Sequence, residues 1–188
     1  MKKIIIVNTS PRPKSNGLVI ANRLQEKLGD AEVKLVDFRT ADINYCKGCD
    51  ACMKHDEPWC VQKDDMAALL PELDACDALV MITPVYWGTI SAQAKTFVDR
   101  FYAFFNPAKE NMTVATKFGK KTAVITTDGS TPIEAAEAEG QKYADAFGIA
   151  GFTENKVLSL TGLNVPGAVA ENAADMAQVD ELAAWLNA

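Results

Sequence analysis

The 188 residues predict a doubly wound α/β domain with a five-stranded parallel sheet, and three observations support that expectation. Five short apolar, β-branched runs recur along the chain, and the four gaps between them and the segment after the last all carry helical apolar spacing. Strands buried on both faces read as continuous apolar runs, because crossover helices cover a parallel sheet on both sides. No linker, internal repeat or low-complexity tract interrupts the pattern, so residues 1–188 read as a single domain. A hydrophobic content of 48% is ordinary for a globular chain.

Each element follows in order. Lys3 to Val7 is a buried strand that stops at Asn8. From Gly17 to Leu28, Ile20, Leu24 and Leu28 recur on one helical face. Glu32 to Phe38 alternates, with Val33 and Leu35 on one side, and forms the second strand. Asp64 or Asp65 caps a helix carrying Met66, Leu69, Leu70 and Leu73. Pro71 inside it lacks an N–H and is expected to kink or shorten it. Ala78 to Thr83 is the third strand, and Ser91 to Phe105 a helix. Thr122 to Thr127 is the fourth strand, Ile133 to Phe147 a helix and Lys156 to Leu160 the fifth strand. The last helix places Met176, Val179, Leu182, Ala183 and Leu186 on one face.

Charge and composition narrow the function. A net charge of −6 disfavours nucleic acid and anionic membranes as partners. The apolar run after Met1 is too short for a signal peptide or a membrane span, so a cytoplasmic location is expected and the Asn111 sequon is accidental. In that reducing compartment, clustered thiols point to metal or redox chemistry rather than structural disulfides.

In a doubly wound sheet, ligands bind at the carboxyl ends of the strands, near the point where strand order reverses. Three loops lie there. NTSPRPKSNG, residues 8–17, joins a strand to a helix, so its N–H groups and the positive helix end suit an anion. Ser10, Ser15 and Asn16 add donors, and Arg12 or Lys14 adds charge. The loop has neither GxGxxG nor GxxxxGK[ST], which favours one terminal phosphate over a dinucleotide or a nucleoside triphosphate. An ordinary polar turn is the alternative. TPVYWGTIS, residues 83–91, offers aromatics that wall a flat ring or pack beneath the loop or at a subunit interface. TTDGST, residues 126–131, adds hydroxyls and a glycine.

Taken in order, NTSPRPKSNG, CKGCDACMKHDEPWC with KDDM, and TPVYWGTISAQAKTFVDRF resemble the iron-sulfur flavoprotein branch of the NADPH-dependent FMN reductase family. The resemblance rests on specific motifs as far as Phe105 and only on the strand–helix pattern beyond. It implies a flavodoxin-like fold of strand order 2-1-3-4-5, an FMN-dependent oxidoreductase or electron-transfer flavoprotein, and a homodimer or homotetramer. NAD(P)H is the implied electron donor, although no nicotinamide fingerprint is present; a small molecule or a protein is the redox partner. Carried over by position, Ser10, Arg12, Ser15 and Asn16 hold the FMN phosphate, with Gly17 and Leu18 following. Pro84, Val85, Tyr86, Trp87 and Gly88 border the flavin, and Thr127, Asp128 and Gly129 reach its ring. Gly17 is a departure, because such loops often have a hydroxyl there.

Cys46-x2-Cys49-x2-Cys52-x7-Cys60 resembles the compact cluster motif of the same branch, which implies a [4Fe–4S] centre in an insertion over 46–60. Three thiolates at three-residue intervals wrap three corners of a cubane, and a fourth arrives from further along. Gly48 lets the backbone curl. Asp50 to Trp59 has few apolar residues and is expected to depend on the metal for its order. Alternatives stay open: tetrahedral zinc, His55 in place of one thiolate, or free thiols or a disulfide near the flavin. The corresponding functions are a cluster-free NAD(P)H-dependent FMN or quinone reductase, or a non-catalytic flavin- or zinc-binding module. Cys76 stands apart and reads as a small core residue. No acid–base dyad or triad is present, as expected where cofactors carry the chemistry.

Overall fold

The run KIIIVN forms β1, Lys3–Asn8, an inner strand of the sheet in the computed structural model, which describes residues 1–188. The chain continues through α1 (Asn16–Lys27), β2 (Glu32–Asp37), α2 (Asp65–Ala75), β3 (Ala78–Tyr86), β4 (Thr89–Ile90) and α3 (Ala92–Asp99). It ends with β5 (Lys120–Thr127), α4 (Ile133–Ala146), β6 (Phe152–Leu160) and α5 (Ala173–Asn187). The parallel strands lie in the order β2-β1-β3-β5-β6, with β4 paired only to β3. Leaving β4 aside, this is the expected 2-1-3-4-5 sheet, and the fold is flavodoxin-like.

Alternation along the strands builds two cores. Ile5, Val7, Leu79, Met81 and Val124 join residues of α2, α3 and α4 on one face of the sheet. Ile4, Ile6, Val80, Ile82 and Ile125 join α1 and α5 on the other. Full burial of each such side chain contributes about 1.5–3 kcal/mol, which commits both faces and sets the register. No helix is long and apolar enough to cross a membrane.

Three elements differ from expectation. The segment TPVYWGTIS is not a plain loop: β3 runs on to Tyr86, and Val85 and Tyr86 pair with Ile90 and Thr89 of β4. Trp87 and Gly88 make the two-residue turn, at φ +53° and +79°, the left-handed pair that matches strand twist in a tight hairpin. The helix expected to reach Phe105 stops at Asp99 and tightens into a 3-10 segment, Arg100–Phe104, where buried Arg100 reaches Asp64. Finally, α2 is not cut at Pro71. It continues to Ala75, because the ring is exposed and buried Leu70 and Leu73 hold both sides of it.

Candidate functional site

Ser15 caps α1: its Oγ accepts from the Leu18 N–H at 3.1 Å. The first N–H groups of the helix, on Asn16 and Gly17, have no intrahelical partner and carry the positive end of its dipole. Asn16, the first of the two, lines a cleft of about 260 Å³. Ser10, Arg12, Ser15 and Asn16 line its first side, Pro84, Val85 and Tyr86 its second, and Thr127, Asp128 and Gly129 its third. The Arg12 guanidinium lies 6.0 Å from the centroid of the Tyr86 ring, so charge and aromatic face each other across the opening.

The other four candidates do not line this cleft. Trp87 and Gly88 sit at the hairpin tip, with Trp87 fully exposed. Leu18 and Gly17 lie in the first turn of α1, behind the lining. A Cβ on Gly17 would meet Asn8 Oδ1 at 2.6 Å and Ile82 Cγ2 at 3.2 Å. No hydroxyl-bearing residue fits there, which explains the departure seen in the sequence.

A fourth wall was not foreseen. Leu163, Asn164 and Pro166, from the connection after β6, complete the cleft. Asn164 approaches so closely that a Cβ on Gly129 would stand 2.4 Å from its Oδ1. Asn16 holds this connection in place, donating to Val165 O at 3.2 Å and accepting from the Val169 N–H at 3.0 Å. Its amide therefore serves the wall as well as the loop. The rule that ligands gather at carboxyl strand ends points to this segment too, but it carries no motif.

Asp128 is buried, and its Oδ1 accepts from the N–H groups of Ser130 and Thr131 at 2.9 and 2.6 Å. Its Oδ2 is buried without a partner. Buried acceptors are nearly always satisfied, so an unpaired oxygen in a cleft wall marks a place for a ligand donor. The hairpin wall is held from outside: Glu139 accepts from the Thr89 hydroxyl and, at 3.2 Å, from the Ile90 N–H.

The cysteine motif leaves from β2, the edge strand of the sheet. Gly48 and Asp50, at φ +59° and +55°, fold the backbone on either side of Cys49, and a 3-10 turn follows at Ala51–Lys54. Cys46, Cys49, Cys52 and Cys60 all line one hollow with Arg100, Tyr102 and Ala103. Burial pushes the Cys52 thiol up, and the sulfurs of Cys60, Cys46 and Cys49 add to it. The four are free thiols. His55 lies outside the hollow and stacks on Trp59, centroids 3.9 Å apart. Cys76 is buried in the core, as expected, and burial pushes its thiol up to about 11.

The order of this loop does not rest on its cysteines alone. Asn106 donates to the carbonyls of Met53 and His55 at 3.3 and 3.4 Å, and Pro58 is buried. At the neck, Asp64 accepts from the Asn44 and Ala67 N–H groups and from Arg100. Burial alone would raise its carboxyl, but Arg100 and these N–H groups hold it down at about 2. A depressed pKa stabilises the fold above the ordinary carboxylate range, and that contribution fades as pH falls toward 2. The difference in urea midpoint between wild type and Asp64→Asn is therefore expected to be flat above about pH 5 and to shrink below it. A difference that stays constant down to pH 2 contradicts this assignment.

The family model for NADPH-dependent FMN reductase matches residues 2–152. The chain belongs to the NADPH-dependent FMN reductase family. An iron-sulfur flavoprotein of Archaeoglobus fulgidus is 38% identical over 101 residues, 52% of this chain and 48% of that one. A second, from Methanocaldococcus jannaschii, is 34% identical over 125 residues, 65% and 61% of the two chains. The chain thus spans about half to three-fifths of the length of these relatives. In fold it is similar to an azoreductase of Bacillus anthracis, at a TM-score of 0.66 and 21% identity over 97% and 99% of the chains.

The cleft of this FMN reductase family member fits a flavin mononucleotide. One end offers helix N–H groups and Arg12 for a single phosphate, and the far wall offers the unpaired Asp128 oxygen. The thiols are a more demanding case. No three His, Cys, Asp or Glu side chains come close enough together to hold a single metal ion. That weighs against tetrahedral zinc, whose ligands crowd one centre. A four-iron cubane spreads its thiolates over four irons, so four sulfurs around one hollow fit it better. The hollow is small, about 20 Å³, and Cys49 is its exposed member.

Proposed function

We propose that this chain is a flavin-dependent oxidoreductase that holds FMN in the cleft between the loops after β1, β3 and β5. The observation that supports it most is the cleft itself: an anion cradle at one end, an aromatic wall and an unpaired buried acceptor at the other. Bound there, FMN supplies electron transfer in pairs or singly, with NAD(P)H as the donor and a small molecule or protein as the acceptor. Arg12 and the first N–H groups of α1 bind the phosphate. Pro84, Val85 and Tyr86 form one wall, and Asp128 presents a hydrogen-bond acceptor in the other. Cys46, Cys49, Cys52 and Cys60 hold a [4Fe–4S] cluster, a one-electron centre. The exposed Tyr102 and the half-buried Phe105, which line an apolar groove, are consistent with a homodimer or homotetramer.

Denaturation of the purified protein is expected to release FMN; release of FAD overturns the reading. Arg12→Ala removes a charge-assisted contact worth about 1.5–3 kcal/mol, so the FMN Kd is expected to rise about tenfold or more. Ser15→Ala weakens binding too and costs about 1 kcal/mol of helix capping. Flavin fluorescence titration of the apoprotein measures both. A cluster-free NAD(P)H-dependent reductase is the second reading, favoured by the small volume of the cysteine hollow, about 20 Å³. Flavin without iron or acid-labile sulfide, after anaerobic purification, selects it.

A further inference from the structure

Arg100 is 2% exposed, and its guanidinium is shut inside the protein beside the cysteine hollow. A buried cation is costly unless fully paired, and Arg100 is paired across the two ends of the cysteine loop. Nη1 donates to the Asn44 carbonyl at 2.8 Å and to Asp64 Oδ2 at 2.5 Å; Nη2 donates to Asp64 Oδ1 at 2.9 Å. Asn44 precedes Cys46, and Asp64 follows Cys60. The same neck is cross-tied by the Asn44 N–H to Asp64, by the Asp42 N–H to Asp65 and by the Asp65 N–H to the Asp42 carbonyl. All of these bonds are made by protein groups alone. The remaining guanidinium surface lines the hollow of the four sulfurs.

We propose that Arg100 is a positioning residue that closes the cysteine loop in the metal-free protein, so that the four thiols surround one hollow before any cluster is loaded. The fork matters as much as the charge. A guanidinium reaches one carbonyl and both oxygens of a carboxylate at once, which an ammonium cannot. Loop closure is then provided by the fold, and a cluster would be loaded onto thiols already gathered around one hollow. The loading part rests on the cluster reading above; the closure part does not.

Metal-free, FMN-loaded protein, kept reduced with a chelator, is the sample for the test. Brief alkylation followed by mass spectrometry gives the labelling rate of each cysteine, and limited proteolysis locates cuts between Cys46 and Cys60. Wild type is expected to resist cutting. Arg100→Met is expected to raise both cutting and the Cys52 and Cys60 labelling rates about tenfold, and Arg100→Lys is expected to restore little. Cys76, in the core, is the internal control, because general loosening would raise its labelling equally. Should Arg100→Met not fold, Arg100→Met with Asp64→Leu leaves no orphaned charge and serves instead. Equal labelling and cutting in wild type and variant overturn the proposal, as does a rise at Cys76 that matches the rise at Cys60. Iron and sulfide added last separate the two readings: a closed wild-type loop that takes up no iron refutes the cluster and leaves the clamp standing.

Discussion

Cys49→Ala protein, prepared without oxygen and with iron supplied, is expected to lose its iron and acid-labile sulfide and to keep its FMN. Cys49 is the exposed member of the four thiols around the hollow, flanked by the left-handed Gly48 and Asp50. An alanine there leaves three sulfurs for a centre that takes four. The FMN cleft shares no lining residue with the hollow, so the flavin spectrum should remain. Cys76→Ala should change neither cofactor, because its thiol is packed in the core away from the motif. One-electron acceptors should be served poorly by Cys49→Ala even where the flavin is still bleached by NAD(P)H or dithionite. Iron and sulfide assays against protein concentration read the effect directly. Wild type that carries FMN and no iron would sink the cluster assignment and leave the cluster-free reductase.

Gly17→Ser should weaken FMN binding, although it adds a hydroxyl to a phosphate loop. The Cβ of any residue at 17 would stand 2.6 Å from Asn8 Oδ1 and 3.2 Å from Ile82 Cγ2. Asn8 is fully buried at the end of β1, and Ile82 lies in a core strand, so neither gives way cheaply. Overpacking of that kind costs about 1–3 kcal/mol. The helix start must shift, and with it the free N–H groups that face the phosphate. A 10- to 100-fold rise in FMN Kd is expected, matching that energy, with a lower melting temperature of the apoprotein. Asn8→Ala combined with Gly17→Ser clears the space and should recover most of the binding, a non-additivity expected of groups in contact. Tighter FMN binding by Gly17→Ser alone would show that the helix start is more pliant than its packing implies.

Much of this protein is legible from residues alone. The continuous apolar runs in KIIIVN and ALVMIT identify strands with two buried faces, and helical spacing identifies the covers. The first loop can be read as a site for one phosphate, through what it lacks as much as through Ser10, Arg12 and Ser15. Other features depend on long-range pairing. Trp87-Gly88 is a hairpin turn because Ile90 finds Val85 and Glu139 holds Thr89, fifty positions away. The helix after Ser91 has apolar spacing as far as Phe105, but the partner of Arg100 is Asp64, and that pair, with the 3-10 turn around it, overrides the local periodicity.

The sequence by itself determined the fold class, the strand-end loops and the clustering of four thiols, because periodicity and spacing are local properties of a chain. Only the tertiary structure decided which wall each candidate joins. It added Leu163 and Asn164, turned Asn16 toward the connection after β6, and moved Trp87 to an exposed tip. It also decided that Gly17 has no room for a side chain, since the atoms it would meet belong to two other strands. The physical reason is common to all of these. A hydrogen bond or a steric overlap between residues far apart in sequence depends on the register of the sheet, and that register is set by burial summed over both faces rather than by any one stretch of residues.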